Sequence, residues 1–418
     1  MKSTYMKSAL MPNTIKAMKG MTGAELRSPF FIYPPVVISF LFLVFPVHAE
    51  NVSYSPKALA LFEQRIEGIA SQKEYDAGFI LLLEQHGTSV SEFIHGPADG
   101  EYPIPVKSMS KWVSTSIILS LVNQGRMKTT DTLGQWVPAF RQTDKANITA
   151  KQIMAHVSGF PGYLNCDRPY PALCSNYAVL NTSLPEEALY ASLAREPLAA
   201  PPATKRIYSD ISFIGLRAMA EAATGEKWET LFKKNIAAPL AMKNASYLKN
   251  LFDRNPQPAT SLSVRPKDYL KFIRIFSQQY CGNEDALPLS RENVRAITLP
   301  RFATLPHGSI FSTMDKWAQQ QSSDYEYGYG LMMLTLKNEN HPSIFLHPGA
   351  YGSLAIWDAG RDALLVFGFS GRETKSALPI LQAYLELHHS VRLPKDAKPS
   401  SPADLCELQK VQAHPSTD

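Results

Sequence analysis

The sequence is poor in cysteine, nearly balanced in charge beyond its first fifty residues, and has no second long apolar run. Only four cysteines, Cys166, Cys174, Cys281 and Cys406, occur in 418 residues. No Cys or His spacing matches a zinc site, and Cys166 and Cys174 stand too far apart for the usual short knuckle. Neither a metal nor a cofactor is expected. The net charge is +5, but residues 1–49 hold Lys2, Lys7, Lys16, Lys19 and Arg27 against Glu25 alone. That segment carries +4, which leaves +1 for the rest. A near-neutral body offers no electrostatic footprint for nucleic acid. There are no internal repeats. The G-x-S-x-G elbow of Ser-His-Asp hydrolases is also missing: the nearest string, Gly368-Phe-Ser370-Gly371-Arg372, fails the spacing. What is present, 45% hydrophobic and 19% charged residues, suffices for one large or two intimate domains.

The first 49 residues read as an export signal. A basic, Met-rich stretch precedes an apolar run from Phe30 to Phe45, and Val47-His48-Ala49 places small residues at −3 and −1 of a cleavage site after Ala49. The run is short and broken by Pro34 and Pro35, so removal is favoured over retention as an anchor. The expected location is periplasmic or secreted, with no stable membrane span after cleavage. Translation starting at Met18 or Met21 would shorten the basic region. Export permits disulfides. Cys166 with Cys174, and Cys281 with Cys406, is one of three connectivities, and four free thiols are the alternative.

Along the mature chain, residues 56–72 have helical spacing, and Ala77 to Leu83 reads as a buried strand returning through His86-Gly87 to a second at Val90 to Ile94. Ser108 begins an apolar-rich helix that stops at Gly125. Helical segments and Pro-rich loops follow to about residue 300, including 150–155, 185–194, 211–224 and 267–279. Short strands at 343–346, 352–357 and 363–369 form a meander, and a helix at 374–388 closes the body. The expected class is α/β (α+β): an antiparallel sheet built from 50–140 and 300–392, flanked by N- and C-terminal helices. A mainly helical domain at 141–299 is inserted, and a polar tail occupies 393–418.

Ser108-Met109-Ser110-Lys111 is an S-x-x-K pattern. At i and i+3 on a helix the two side chains share a face. A serine hydroxyl is a poor nucleophile until a neighbour takes its proton. Lysine can do so only if its pKa falls from about 10.4 towards 7, a shift of roughly 4 kcal/mol. The apolar neighbours Met109, Trp112 and Val113 can supply part of this, and the helix start offers the Ser108 N–H to an oxyanion. The pattern also fits a capping serine followed by a solvated lysine. A second copy, Ser246-Tyr-Leu-Lys249, begins no apolar helix.

Further motifs stand in a fixed order: Leu121-Val-Asn-Gln-Gly125, Ile148-Thr through His156-Val-Ser158-Gly159, Tyr208-Ser209-Asp210, Ile236 through Pro239-Leu240-Ala-Met242, and His347-Pro348-Gly349. With Ser108-Met-Ser-Lys111 they resemble the serine β-lactamase and penicillin-binding-protein superfamily over about residues 76–371. The nearest branch holds class C β-lactamases, D-aminopeptidases, β-lactamase-like esterases and 6-aminohexanoate-dimer hydrolase. The resemblance implies a β-lactamase/transpeptidase-like fold and an acyl-enzyme on Ser108. Lys111 and Tyr208 would share base work, and the backbone N–H groups of Ser108 and Ala350 would form an oxyanion hole. Asp210, His347 and Gly349 would line the substrate site. Gly349, without a Cβ, would let substrate approach, and Pro348 suits an edge strand. His156 reads as a packing or hydrogen-bonding residue.

Three positions depart from the family pattern. Asp210 replaces the amide of Y-x-N, Pro348 removes the hydroxyl of K-T-G, and His347 replaces its lysine and is largely neutral near pH 7. These changes disfavour substrates that present a carboxylate. The expected activity is hydrolysis of a small-molecule or peptide-like ester or amide by an esterase, amidase or peptidase. The alternatives are an inactive protein that binds cell-wall peptides and a true β-lactamase.

Overall fold

Seven consecutive buried residues, Phe79–Gln85, form strand β1, and a strand with no solvent face must lie between two layers. The computed structural model describes residues 53–96, 100–162, 185–248, 255–282, 288–321, 323–337, 339, 341–371 and 377–391. The export segment, Cys166, Cys174, Cys406, the side chain of Cys281 and the C-terminal tail from Pro394 lie outside the described residues.

Helix α1 (Pro56–Ala70) precedes β1, with Ser55 Oγ accepting the Ala58 N–H at 3.2 Å as its N-cap. His86 and Gly87, both at positive φ, turn the chain into β2 (Thr88–His95). After the short β3 (Ile104–Pro105) come α2 (Ser110–Asn123), α3 (Leu133–Trp136), α4 (Ala150–Met154), α5 (Glu186–Arg195), α6 (Ser212–Thr224) and α7 (Trp228–Phe232). Strand β4 (Ser263–Val264) pairs with β3, and α8 (Pro266–Cys281), α9 (Arg291–Ile297) and α10 (Ser309–Gln320) follow. Five strands then run in succession: β5 (Ser323–Tyr327), β6 (Met332–Leu336), β7 (Ile344–Pro348), β8 (Leu354–Asp358) and β9 (Ala363–Phe369). Helix α11 (Leu378–Ser390) closes the described chain.

The sheet has the order β2-β1-β9-β8-β7-β6-β5 and every neighbouring pair is antiparallel. Both ends of the chain therefore build it, with Phe79 opposite Phe369. The period-2 alternation of β1 divides its side chains between two cores. Phe79, Leu81 and Leu83 pack with Phe62 and Ile66 of α1 and Ile380 and Leu381 of α11. Ile80 and Leu82 join the core of the helical stretch, with Trp112 of α2 and Phe272 and Phe276 of α8. Each such side chain contributes about 1.5–3 kcal/mol by burial. The result is the expected antiparallel sheet flanked by N- and C-terminal helices. No helix among the described residues is long and apolar enough to cross a membrane.

Candidate active site

Helix α2 is buried without interruption from Ser110 to Leu121. A helix buried on every side lies inside the fold, so any polar group on it leaves water. The structure corrects one local expectation: Ser108 does not open the α-helix but sits in a 3₁₀ turn, Lys107–Met109, and α2 begins at Ser110. The tighter turn leaves Ser108 partly exposed while Lys111, one turn on, is fully buried. The segment 257–263 is laced to α2: Ser114 Oγ donates to the Pro258 carbonyl at 2.7 Å, and Leu262 N–H donates to Ser110 Oγ at 3.1 Å.

Lys111 Nζ faces three oxygens: Ser108 Oγ at 3.1 Å, the Ala259 carbonyl at 3.2 Å and Asp210 Oδ1 at 2.5 Å. The carbonyl and the carboxylate only accept. A neutral amine would donate its two protons to them and turn its lone pair to the Ser108 hydroxyl, the arrangement a general base needs. Burial pushes the Lys111 pKa down from its ordinary value, and the Asp210 carboxylate pulls against that shift. Ala259 acts through its backbone, so no residue pattern could have marked it.

The second group arrives on the stretch before α6. Buried Arg206 donates to the Ala155 carbonyl at 2.8 Å and to the carbonyls of Arg301 and Phe302, fixing the start of the segment. Two residues on, the Tyr208 ring lies with its centroid 4.5 Å from Lys111 Nζ, and the Ser108 side chain is close enough to draw the phenol's pKa down in part. His156, at φ +58, accepts the Ser209 N–H on Nδ1 at 3.1 Å and packs its ring 4.4 Å from that of Tyr208. The expectation of a packing and hydrogen-bonding histidine there matches its place behind the phenol. Burial and then Asp210 push the Tyr208 pKa well up, outweighing the pull of Ser108. The shared base work of Lys111 and Tyr208 that the resemblance implies meets an added charge here: Asp210 offsets the Lys111 charge and joins burial in raising the Tyr208 pKa.

The third segment corrects two further readings. Strand β7 is not an edge strand, because β6 and β5 extend the sheet beyond it. Its pairing with β6 nevertheless stops at Leu346, which leaves His347 and Pro348 without a partner on that side among the described residues. Gly349 does not open room for substrate either. A Cβ there would stand 2.4 Å from the Val106 carbonyl oxygen, so the glycine exists to let β7 pass the turn that carries Ser108. His347 is fully buried, and burial followed by the Lys111 charge pushes its pKa down to about 3. Its Nδ1–H donates to the Pro348 carbonyl at 2.8 Å, and Nε2 accepts from the Tyr327 hydroxyl at 3.4 Å. The Ala350 residue is exposed, and among the described residues neither its N–H nor that of Ser108 donates to a backbone carbonyl. Neither N–H is therefore taken up by the main chain among the described residues.

The structure therefore brings Ser108, Lys111, Tyr208 and Asp210 into direct contact, with the His347–Ala350 segment against the turn that bears Ser108. Among the described residues no group of three His, Cys, Asp or Glu side chains is placed to hold a metal. In the second S-x-x-K string, Ser246 Oγ donates to Glu229 at 2.8 Å, a structural contact, and Lys249 lies outside the described residues.

Comparison with known proteins agrees with this architecture. The family model described as Beta-lactamase matches residues 72–388. A Bacillus subtilis strain 168 protein, provisionally named penicillin-binding protein PbpX, is 24% identical over 281 residues, 64% of this chain and 65% of that protein. The D-alanyl-D-alanine-carboxypeptidase/endopeptidase AmpH of Escherichia coli K12 is 25% identical over 147 residues, 34% of this chain and 36% of AmpH. The chain thus spans less than two thirds of the length of either relative. Among solved structures, a β-lactamase-like protein from Bacteroides dorei superposes with TM-score 0.64 at 19% identity, covering 80% of this chain and 99% of that one. EstCE1, a hydrolase with promiscuous acyltransferase activity, gives 0.62 at 18% identity, covering 78% and 99%. With the family model matched over residues 72–388, most of its length, the chain belongs to the Beta-lactamase family.

Proposed function

We propose that this chain is an exported serine hydrolase that acts through an acyl-enzyme on Ser108, with an ester or amide as substrate. The observation that carries the reading is a fully buried lysine amine 3.1 Å from a partly exposed serine hydroxyl. The neutral Lys111 amine takes the Ser108 proton as Oγ attacks the carbonyl carbon. Charge arriving on the carbonyl oxygen is met by the N–H groups of Ser108 and Ala350. Tyr208, whose ring lies against Lys111 Nζ, relays a proton to the leaving oxygen or nitrogen. The C–O or C–N bond breaks, the alcohol or amine departs, and the acyl group stays on Ser108. Water then attacks the ester carbonyl, its proton passing to the same amine and from there to Ser108 Oγ as the C–Oγ bond breaks, and the acid is released with the hydroxyl restored.

The neutral His347 and the hydroxyl-free Pro348 support a substrate without a carboxylate at that end. The similar proteins include one named a carboxypeptidase/endopeptidase and one named a hydrolase with acyltransferase activity, both acyl-transfer chemistries. Export is supported by the apolar run Phe30 to Phe45 and the small residues Val47 and Ala49.

The test is labelling with a fluorophosphonate together with p-nitrophenyl ester turnover. The wild type is expected to label and to hydrolyse, with nitrocefin cleaved weakly or not at all. Ser108→Ala is expected to lose label and at least about 10³-fold in rate while staying folded. Unchanged ester turnover in Ser108→Ala overturns the reading.

A further inference from the structure

Lys107 immediately precedes the nucleophile candidate and adopts φ +50, a backbone conformation that strains any side-chain-bearing residue. Local sequence offers no reason to hold a lysine there. Its ammonium, however, lies 4.1 Å from the centroid of the Tyr351 ring. Tyr351 immediately follows Ala350. The contact therefore joins the residue before one candidate oxyanion N–H to the residue after the other. The same two segments also touch through their backbones, where Gly349 lies against the Val106 carbonyl. The loop that carries Tyr351 is closed on itself, Gly349 N–H donating to the Ser353 carbonyl at 2.7 Å and Gly352 N–H to the Gly349 carbonyl at 2.9 Å. A rigid loop held at two points has little freedom to drift.

We propose that Lys107 is a positioning residue of the oxyanion hole: seated on the Tyr351 ring, it holds the Ala350 N–H in register with the Ser108 N–H. The assignment rests on the hydrolase reading above. Lys107 touches no reacting atom; it fixes the separation of two donors that must both reach one developing oxyanion, where a small misplacement is expensive. The Tyr351 hydroxyl has no part in this, only its ring face, and any cation of similar reach would serve.

The experiment measures kcat and KM for p-nitrophenyl ester hydrolysis, with fluorophosphonate labelling alongside. Lys107→Met keeps the stem and loses the charge; Tyr351→Leu keeps bulk and loses the ring. Each is expected to lower kcat about tenfold with KM little changed, because the hole acts on the transition state. Lys107→Arg and Tyr351→Phe are expected to restore most of the rate. The double variant Lys107→Met/Tyr351→Leu is expected to be no slower than either single one, since both remove one contact. A wild-type kcat in Lys107→Met, a matching rise in KM instead of a fall in kcat, or fully additive losses overturns the proposal. Failure of the wild type itself to label or hydrolyse overturns the hydrolase reading and this proposal with it. A labelled, active wild type beside an unaffected Lys107→Met overturns this proposal alone.

Discussion

Asp210→Asn restores the amide of the family's Y-x-N motif and removes one negative charge from the centre of the site. In the wild type, Asp210 Oδ1 is 2.5 Å from Lys111 Nζ, and only 13% of the Asp210 side chain is exposed. Its charge pulls the Lys111 pKa up against burial and also pushes the Tyr208 pKa up. Removing it lowers both. A carboxylate this close to a cation moves a pKa by about 1–3 units, equivalent to about 1.4–4 kcal/mol. In the pH profile of kcat/KM, the acid limb follows loss of the proton that blocks the base, and the alkaline limb follows loss of the proton that the relay needs. Both limbs are expected to move to lower pH, the acid limb by about 1–3 units. The asparagine carbonyl can still accept from Lys111, so the fold is expected to survive, and a melting curve at the assay pH checks this. A folded variant whose acid limb stays in place, or moves to higher pH, refutes the assignment of Lys111 as the base under Asp210 control.

Two further outcomes follow from buried groups. His347 is held neutral, its pKa pushed from the ordinary 6.5 to about 3, so the unfolded chain binds a proton that the folded chain refuses. Its stabilising effect is complete above about pH 6.5 and is lost as pH falls towards 3, at about 1.4 kcal/mol per pH unit. Denaturant melts between pH 6.5 and 4.5 are therefore expected to show His347→Leu losing less stability than the wild type, by about 2 kcal/mol across that span; parallel curves would refute this. Gly349→Ala places a Cβ 2.4 Å from the Val106 carbonyl oxygen, backbone against backbone, and is expected to cost about 1–3 kcal/mol and most of the activity. A variant with wild-type melting and turnover would show that the two segments separate freely.

Much of this was legible in sequence because its signals are local. The unbroken apolar run of β1, the turn at His86-Gly87 and the meander of β7 to β9 each carry their own pattern, and S-x-x-K encodes a contact between neighbours on one turn. What was not legible depends on chain segments that meet only in the fold. Strand β5 alternates Ser323, Tyr325 and Tyr327 inward with Asp324 and Glu326 outward, and its polar content hides it among loops. The interior position of β7 depends on β6, which pairs with it through Met332, Met333 and Leu334, a partnership between segments that no local pattern announces. Gly349 reads as a door for substrate only while the Val106 carbonyl opposite is unknown. The partner of Lys111 at Ala259 is a main-chain oxygen, silent in any sequence.

The same distinction bears on substrate choice. Taken singly, Asp210 for an amide and His347 for a lysine are two lost contacts. Taken with the geometry, they are one change in charge. Lys111 and Asp210 form a buried pair, His347 contributes no charge above about pH 3, and the nearest further cation beside the nucleophile, Lys107, is turned onto the Tyr351 ring. A site that keeps the lysine and the amide would carry an extra positive charge to meet a carboxylate; this one presents none. A carboxylate entering it would lose its hydration without an ion partner, a penalty of several kcal/mol, whereas a neutral acyl group would lose little. Discrimination between the two then lies in which charges the site lacks, so Asp210→Asn, by removing a negative charge that stands beside Lys111, is the single change that should make carboxylate-bearing substrates less unwelcome.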